Sequence, residues 1–255
     1  MELKNCQALV TGGASGLGLA TARMVVASGG FVAVLDLPSA EAEETVRALG
    51  PNALFCPADI TRVEEVQAAL ASVEKLGRGL QLAVSCAGVG TVGKTLQKGE
   101  PASQELFEFT IRVNLLGTFN VARLAAAFIA KNAPGPEGER GLIVNTASIA
   151  AFEGQMGQTA YAASKGGIVS LTLPMARDLA SYGIRVVTIA PGLFDTPLFA
   201  KLPETARLAL GQSVPFPSRL GRPEEFAALV KHIAENPMLN GEVIRLDGAL
   251  RMGIK

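Results

Sequence analysis

The feature of this sequence that most constrains its fold is a series of seven short apolar runs separated by helix-like stretches. The runs cover residues 6–11, 31–36, 53–57, 80–85, 141–146, 184–189 and 242–246. Their hydrophobicity is continuous rather than alternating, which is typical of strands that are covered on both faces, as in a parallel sheet. The stretches between them, such as residues 17–28 and 63–76, are long enough to form right-handed crossover helices.

These runs predict a single-domain α/β protein over residues 1–255. We expect a Rossmann-like doubly wound sheet of seven parallel strands, in the order 3-2-1-4-5-6-7, with helices on both faces. A chain of 255 residues can bury a substantial core in one domain. No linker, repeat or low-complexity stretch divides it, and residues 134–140, rich in proline and glycine, predict a surface loop before the fifth strand.

The charge balance argues against nucleic acid and anionic membranes as partners. Lysine and arginine together number 23, as do aspartate and glutamate, so no net field attracts a polyanion. No apolar run reaches the length of a membrane span, and the first predicted strand begins by residue 6, leaving no room for a signal peptide. We therefore expect no membrane partner and a cytoplasmic location.

Cysteine and histidine usage excludes two common kinds of site. Cys6, Cys56 and Cys86 lie in strand-like apolar runs without metal-ligand spacing, which indicates buried reduced thiols and no metal. The only histidine, His232, lies in an amphipathic helical pattern far along the chain from any candidate nucleophile. A Ser-His-Asp hydrolase is therefore not expected.

A glycine-rich turn follows the first predicted strand and opens the first predicted helix. It reads Thr11-Gly12-Gly13-Ala14-Ser15-Gly16-Leu17-Gly18. Glycines at this place let the backbone turn sharply and approach a pyrophosphate, whose charge then faces a helix N-terminus. The strand before the turn and the helix after it are the context that supports a dinucleotide site.

Asp36 ends the second predicted strand, 24 residues after Gly12. A carboxylate there accepts hydrogen bonds from ribose hydroxyls and repels a 2′-phosphate, and no arginine stands beside it to pair with that phosphate. This favours NAD over NADP. The alternative is that Asp36 caps a helix in the turn toward Pro38.

Further candidates follow the third and fourth predicted strands. Asp59 and Ile60 could meet an adenine ring, although Asp59 also fits a plain turn residue. Cys86, Ala87 and Gly88 are small enough to let a cofactor lie close to the backbone. Asn114 is polar within an apolar helical pattern, which fits either a structural hydrogen bond or a water-positioning role.

The proton-transfer candidates are Ser148, Tyr161 and Lys165. On a helix, Tyr161 and Lys165 stand at i and i+4 and share one face. An ammonium nearby favours the phenolate and should lower the tyrosine pKa, while the Ser148 hydroxyl could hold a substrate oxygen. The spacing alone is common in helices, and the alternative is a solvated lysine beside a half-buried tyrosine.

Together these motifs resemble the short-chain dehydrogenase/reductase family over nearly the whole chain. The resemblance rests on the glycine turn, Asp36, Asp59, Cys86-Ala87-Gly88, Asn114, Ser148, Tyr161-Xaa3-Lys165 and Pro191-Gly192. It implies that Tyr161 is the acid/base, that Ser148 orients the reacting oxygen, that Lys165 supports Tyr161 and binds ribose, and that Asn114 supports a proton relay. The implied NAD site comprises Gly12, Ser15, Gly16, Leu17, Gly18, Asp36, Asp59, Ile60, Cys86, Ala87, Gly88, Tyr161, Lys165, Pro191, Phe194 and Thr196.

Within that family the chain most resembles the type II 3-hydroxyacyl-CoA dehydrogenases, a group also described as 17β-hydroxysteroid dehydrogenases. Residues 145–155, 163–168, 189–194, 214–221 and 240–248 carry this closer resemblance, and Cys86 replaces the asparagine usual in the wider family. The implied reaction is NAD-dependent oxidation of an (S)-3-hydroxyacyl-CoA to the 3-oxoacyl-CoA, and the implied assembly is a homotetramer. The alternatives are a 3-oxoacyl carrier protein reductase, a hydroxysteroid dehydrogenase, and a dinucleotide-binding scaffold without catalysis.

Two segments are candidates for substrate contacts. Residues 193–212, with Phe199, Leu202 and Leu208, are mostly apolar and are expected to cover an acyl chain. Lys94 and Lys98 lie in a polar loop after the fourth strand and could meet a CoA phosphate. They fit ordinary solvated loop charges equally well.

Overall fold

The computed structural model describes residues 1–77, 79–135, 137–197 and 202–254 and contains one continuous seven-stranded parallel sheet. Its strands are β1 (Gln7–Thr11), β2 (Phe31–Asp36), β3 (Ala53–Pro57), β4 (Leu82–Ser85), β5 (Gly141–Thr146), β6 (Ile184–Pro191) and β7 (Val243–Leu246). They are ordered β3-β2-β1-β4-β5-β6-β7, and every neighbouring pair is parallel. The predicted fold and strand order are therefore confirmed.

Helices follow most strands and cover both faces of the sheet. They are α1 (Gly16–Ala27), α2 (Ala40–Arg47), α3 (Val63–Glu74), α4 (Gln104–Ile111), α5 (Thr118–Ile129), α6 (Thr159–Ala180), α7 (Glu204–Gln212) and α8 (Pro223–Glu235). A π-helical segment, Arg112–Gly117, joins α4 to α5, and a short 3₁₀ turn, Ile149–Ala151, follows β5. Among the described residues, no helix combines the length and the hydrophobicity that crossing a membrane requires.

The core consists of two apolar layers because successive side chains of a strand point to opposite faces. Leu9 of β1 belongs to the layer that includes buried residues of α3, α5 and α6. Val10, the next residue, belongs to the layer that includes residues of α1 and α8. Both faces of each central strand are thus buried, which explains the continuous hydrophobicity of the sequence runs.

All seven strands point the same way, so the turns that follow them meet at one edge of the sheet. This carboxyl edge is where doubly wound sheets bind ligands. Beside it the chain forms a small antiparallel hairpin, Leu96–Gln97 paired with Glu100–Pro101, in the segment that the sequence predicted only as a polar loop.

Candidate active site

Ser148 and Tyr161 lie close together at the carboxyl edge, next to the end of β5. Ser148 caps the 3₁₀ turn, and its Oγ accepts a hydrogen bond from the Ala150 amide at 3.1 Å. Tyr161 is in the first turn of α6, and its hydroxyl lies near the Ser148 side chain. The fold therefore brings together two groups that are thirteen residues apart in the sequence.

Lys165 lies one turn after Tyr161 on α6 and is 6% exposed. Its Nζ donates a hydrogen bond to the carbonyl oxygen of Thr146 at 2.9 Å and lies 5.8 Å from the centroid of the Tyr161 ring. Burial lowers the Lys165 pKa to about 8, an effect that the nearby Cys86 thiol opposes. A buried ammonium with few partners is poised to release its proton near neutral pH.

Burial raises the Tyr161 pKa in the structure, and the nearby Ser148 side chain opposes that rise. From the sequence we expected Lys165 to lower the same pKa, and the structure corrects that expectation. The physical reason is that desolvation of the phenolate outweighs the other effects, while the ammonium lies over the ring and donates to Thr146.

Asn114 is completely buried in the π-helical segment. Its Nδ2 donates to the Val89 carbonyl and to the Ser164 Oγ, both at 3.0 Å, and its Oδ1 accepts from the Val89 amide at 2.8 Å. Ser164 in turn donates to the Tyr161 carbonyl at 2.7 Å. Asn114 thus joins the loop after β4 to α6, which is the structural alternative that the sequence left open. A role in positioning water stays a prediction.

Sequence reasoning did not identify Thr146, Val89 or Ser164 as parts of this site. Thr146 and Val89 act through backbone atoms, which leave no signal in the residue type. Ser164 stands beside Lys165 inside the recognised motif, and its buried position on α6 was the one available clue. An i+3 position from Tyr161 places it on the same side of the helix.

The glycine turn between β1 and α1 forms a close cradle. Gly12 has φ +63°, and a Cβ there would lie 2.8 Å from the Ala87 backbone nitrogen. A Cβ on Gly18 would overlap the Gly12 carbonyl. Ser15 is the N-cap of α1, and its side chain does not cap the helix, so the first amides of α1 remain available to a ligand. Leu17 and Gly16 begin that helix, as predicted.

Asp36 lies at the carboxyl end of β2 and faces the glycine turn. Its Oδ2 accepts a hydrogen bond from the Ala14 amide at 3.0 Å, and its Oδ1 accepts from the Leu37 amide at 2.9 Å. Helix α2 is capped by Ser39, whose Oγ accepts from the Ala42 amide. Asp36 is therefore not the helix cap that the alternative interpretation required.

The next two turns hold Asp59, Ile60 and Cys86. Asp59 Oδ1 accepts from the Thr61 amide at 2.8 Å, so it does serve as a turn residue. Ile60 is 6% exposed and packs against Gly117, which leaves little of its side chain open to the edge. The Cys86 Sγ accepts a hydrogen bond from Thr146, and burial raises its pKa to about 12, so it is a neutral thiol.

Gly88 leaves space between the loop after β4 and the buried polar groups of the site. A Cβ on Gly88 would lie 3.0 Å from Asn114 Oδ1 and 3.6 Å from Lys165 Nζ. Ala87 before it donates its amide to Thr11 Oγ1 at 3.2 Å. The small residues at 87 and 88 thus bring the loop close to Asn114 and Lys165, and the predicted approach of a cofactor to this backbone stays a prediction.

The remaining predicted residues follow β6. Pro191 is buried as the last residue of that strand, and Phe194 is 5% exposed with its ring against Gly221. Thr196 approaches Gly16 of the glycine turn. Phe199 lies outside the described residues, whereas Leu202 and Leu208 are exposed near and on α7.

The edge of the sheet therefore combines a dinucleotide cradle with a Ser-Tyr-Lys group suited to proton transfer at an alcohol or carbonyl. The cradle fits a dinucleotide because its glycines exclude side chains from the approach path, and the Asp36 carboxylate faces the same turn. No cluster of metal-binding side chains occurs within the described ranges, 1–77, 79–135, 137–197 and 202–254. Fold and site together define a nicotinamide-dependent oxidoreductase.

The chain belongs to the short-chain dehydrogenase family, whose family model, described as short chain dehydrogenase, matches residues 7–207. The human 3-hydroxyacyl-CoA dehydrogenase type-2 is 56% identical over 254 residues, covering 98% of this chain and 97% of the relative. A crystal structure of 3-hydroxyacyl-CoA dehydrogenase type-2 from Mycobacterium avium superposes with a TM-score of 0.95 at 45% identity and covers 98% of both chains.

A second solved structure is more distant but carries a nucleotide. The 3-ketoacyl-(acyl-carrier-protein) reductase from Brucella melitensis, complexed with NADH, has a TM-score of 0.85 at 28% identity and covers 97% of this chain and 98% of its own. The family resemblance predicted from the sequence is thus confirmed.

Proposed function

We propose that this protein oxidises (S)-3-hydroxyacyl-CoA to 3-oxoacyl-CoA with NAD as the hydride acceptor. The observation that carries the proposal is the proximity of the Ser148 and Tyr161 side chains to each other and to the buried Lys165, at the edge that also holds the dinucleotide cradle. The substrate class rests on the 56% identity to the human 3-hydroxyacyl-CoA dehydrogenase type-2 over essentially the full length of both chains.

In this reaction the chain positions the alcohol and moves its proton. Ser148 holds the reacting oxygen, and Tyr161 accepts the hydroxyl proton during oxidation or donates it during reduction. Bound NAD supplies the hydride acceptor and a positively charged ring. Burial favours the protonated phenol, which is the form that donates a proton to a 3-oxo group in the reductive direction.

The NAD site uses the residues that border the cradle. Gly12, Ser15, Gly16, Leu17 and Gly18 face the pyrophosphate, and Asp36 accepts from the ribose hydroxyls and disfavours NADP. The remaining contacts are proposed for Asp59, Ile60, Cys86, Ala87, Gly88, Pro191, Phe194 and Thr196, with Tyr161 and Lys165 at the nicotinamide end. Asn114 is proposed to support proton exchange.

Assembly and compartment are also proposals. A homotetramer follows from the family resemblance, and exposed apolar side chains at Phe107, Leu116 and Phe119 along the α4–α5 region support self-association. Cys6, Cys56 and Cys86 are all free, which agrees with a reducing compartment such as the cytoplasm. We propose that residues 1–255 form one domain and that its segment at about 193–212 covers the bound substrate.

The proposal is tested by initial-rate measurements in the reductive direction with acetoacetyl-CoA, longer 3-oxoacyl-CoAs, a 3-oxoacyl carrier protein and a keto-steroid, each with NADH and NADPH. The highest kcat/KM is expected for a 3-oxoacyl-CoA with NADH. A higher value for the carrier protein with NADPH would favour a biosynthetic reductase instead. Binding of NADH without turnover of any substrate would favour a non-catalytic scaffold.

In the oxidative direction, (S)-3-hydroxybutyryl-CoA should react faster than its (R) enantiomer.

A further inference from the structure

The loop that connects Ser148 to Tyr161 is anchored by one arginine from the far edge of the sheet. Arg245 of β7 donates from Nη1 and Nη2 to the two carboxylate oxygens of Glu153, both at 2.8 Å. The same guanidinium donates from Nε to Asp247 Oδ2 at 2.7 Å and from Nη2 to the Leu250 carbonyl at 3.0 Å. Its centre lies 5.1 Å from the centroid of the Phe152 ring. Two segments of the chain, residues 152–153 and residues 247–250, therefore converge on one side chain.

This arrangement is stronger than an ordinary surface ion pair. The Arg245 and Glu153 side chains are only 21% and 27% exposed, and a bidentate guanidinium–carboxylate pair fixes direction as well as distance. Arg251 adds a second cation, 3.6 Å from Glu153 and 3.1 Å from Asp247. The hydrogen bond from Arg245 lowers the Glu153 pKa, so the carboxylate remains charged across the neutral range.

Glu153 is coupled to Ser148 through a single tight turn. The Ala151 amide donates to the Ser148 carbonyl at 3.0 Å, and the Glu153 amide donates to the Ile149 carbonyl at 3.0 Å. A displacement of Glu153 therefore moves the backbone that carries the Ser148 hydroxyl. No flexible linker separates the two residues, because the 3₁₀ turn occupies the space between them.

The same loop contacts α6 beside Tyr161. A Cβ added to Gly154 would lie 2.9 Å from the Ala162 Cβ, so the backbone at Gly154 packs directly on the residue that follows Tyr161. On the other side, Leu250 of the C-terminal segment packs in one buried cluster with Ile149 and Val214. Arg245 therefore contacts residues on both sides of the turn that carries Ser148. It binds the side chain of Glu153 and the backbone carbonyl of Leu250.

We propose that Arg245 is a positioning residue which, through Glu153, sets the distance between the Ser148 and Tyr161 hydroxyls. This inference rests on the proposed dehydrogenase activity but is independent of which alcohol is the substrate. Neither Arg245 nor Glu153 touches the reacting atoms. Loss of the pair should lower kcat, because small displacements of catalytic groups have large effects on rate.

The chain offers a matched control at the opposite end of the sheet. Glu139 lies 2.8 Å from Arg185, with side-chain exposures of 17% and 8%, and also contacts a second cation, the N-terminal ammonium, at 3.0 Å. Glu139→Gln therefore breaks a similar two-cation network next to the start of β5 and β6, away from the carboxyl edge. It should destabilise the protein without a specific loss of turnover.

The experiment compares Glu153→Gln, Arg245→Lys and Glu139→Gln with the wild type. We expect Glu153→Gln to lower kcat about tenfold or more with the NADH Kd unchanged, Arg245→Lys to retain part of the rate, and Glu139→Gln to keep the wild-type kcat. The pH at which kcat reaches half its maximum should also rise in Glu153→Gln, because the displaced Ser148 side chain opposes the rise of the Tyr161 pKa less. Equal kcat losses in Glu153→Gln and Glu139→Gln would overturn the proposal.

A structural readout keeps this inference separate from the proposed function. Crystal structures of the wild type and of Glu153→Gln should differ in the distance between Ser148 Oγ and the Tyr161 hydroxyl oxygen. An unchanged distance would overturn the positioning role even if the substrate were unknown. A wild type that oxidises no 3-hydroxyacyl-CoA, but whose Glu153→Gln variant shows the displaced serine, would instead contradict only the proposed function.

Discussion

The ammonium of Lys165 donates a hydrogen bond to the carbonyl oxygen of Thr146 at 2.9 Å. Thr146 is the last residue of β5, and Ser148 follows it two positions later. One buried hydrogen bond therefore attaches the helix that carries Tyr161 to the strand end that carries Ser148. The catalytic group is assembled by the fold itself, at the expense of keeping a cation almost entirely out of water.

That burial predicts a pH-dependent stability effect for Lys165→Met. Because the Lys165 pKa is about 8 in the folded protein and 10.5 without burial, the folded form releases this proton first as the pH rises. The burial penalty is complete below about pH 8 and is relieved between there and 10.5. The variant should thus be more stable than the wild type at neutral pH, by on the order of 1 to 3 kcal/mol after the loss of the Thr146 hydrogen bond.

Urea unfolding of both proteins at pH 7 and at pH 10 checks this expectation. The stability difference should shrink or change sign at the higher pH, because the folded state is then deprotonated at position 165 and most of the burial penalty is relieved. A difference that is the same at the two pH values would contradict the assigned pKa. Activity should be lost in the variant at either pH.

Asp36→Asn separates the two effects of the Asp36 carboxylate. Asparagine can still accept from the Ala14 amide and keep the glycine turn in place, but it carries no charge to repel a 2′-phosphate. We expect the ratio of kcat/KM for NAD to kcat/KM for NADP to fall about tenfold or more in Asp36→Ala. The ratio should also fall in Asp36→Asn, but this variant should bind NAD better than Asp36→Ala does. The wild-type ratio in both variants would contradict this assignment.

Lys94 and Lys98 are expected to act on the CoA part of the substrate. Both are exposed, and their hairpin is attached to the start of α6 by a 3.2 Å contact between the hydroxyls of Thr95 and Thr159. The double variant Lys94→Ala/Lys98→Ala should raise KM for acyl-CoA severalfold at low salt, with kcat and NAD binding nearly unchanged.

The matched control for that experiment is Lys75→Ala/Lys231→Ala, which removes two exposed lysines elsewhere and changes the net charge equally. An uncharged ketone or alcohol substrate should respond to neither double variant. If acyl-CoA and the uncharged substrate respond alike, the hairpin does not contact the CoA phosphates. If both double variants raise KM equally, the effect is one of total charge.

The strand order and most strand bounds followed from the sequence, because a central parallel strand must be apolar on both faces. The predicted run at 80–85 was two residues too long: Leu80 is buried, but its carbonyl accepts from Asn132 Nδ2 instead of continuing β4. A buried loop residue and a strand residue look alike in an apolar pattern. The predicted run at 184–189 was two residues too short, because β6 continues to Pro191 and the apolar pattern does not mark that end.

The parts of the site that depend on contacts distant in sequence could not be predicted. Arg245 stood within the last predicted strand, and its partner Glu153 lies 92 residues earlier. The π-helical turn around Asn114 has no residue signature, and the π geometry is recognised only from the hydrogen bonds. The net direction of the Tyr161 pKa depends on burial, which the helical spacing of Tyr161 and Lys165 does not determine.

The most direct test of the proposed chemistry is the rate of NAD reduction by Tyr161→Phe with (S)-3-hydroxybutyryl-CoA, measured beside its NADH binding. The substitution removes one hydroxyl and leaves the ring on α6, so folding and the NADH Kd should match the wild type. The kcat should fall by about a hundredfold or more, because general acid–base catalysis contributes on that scale. A kcat near the wild-type value, with NADH still bound, would contradict Tyr161 as the proton acceptor.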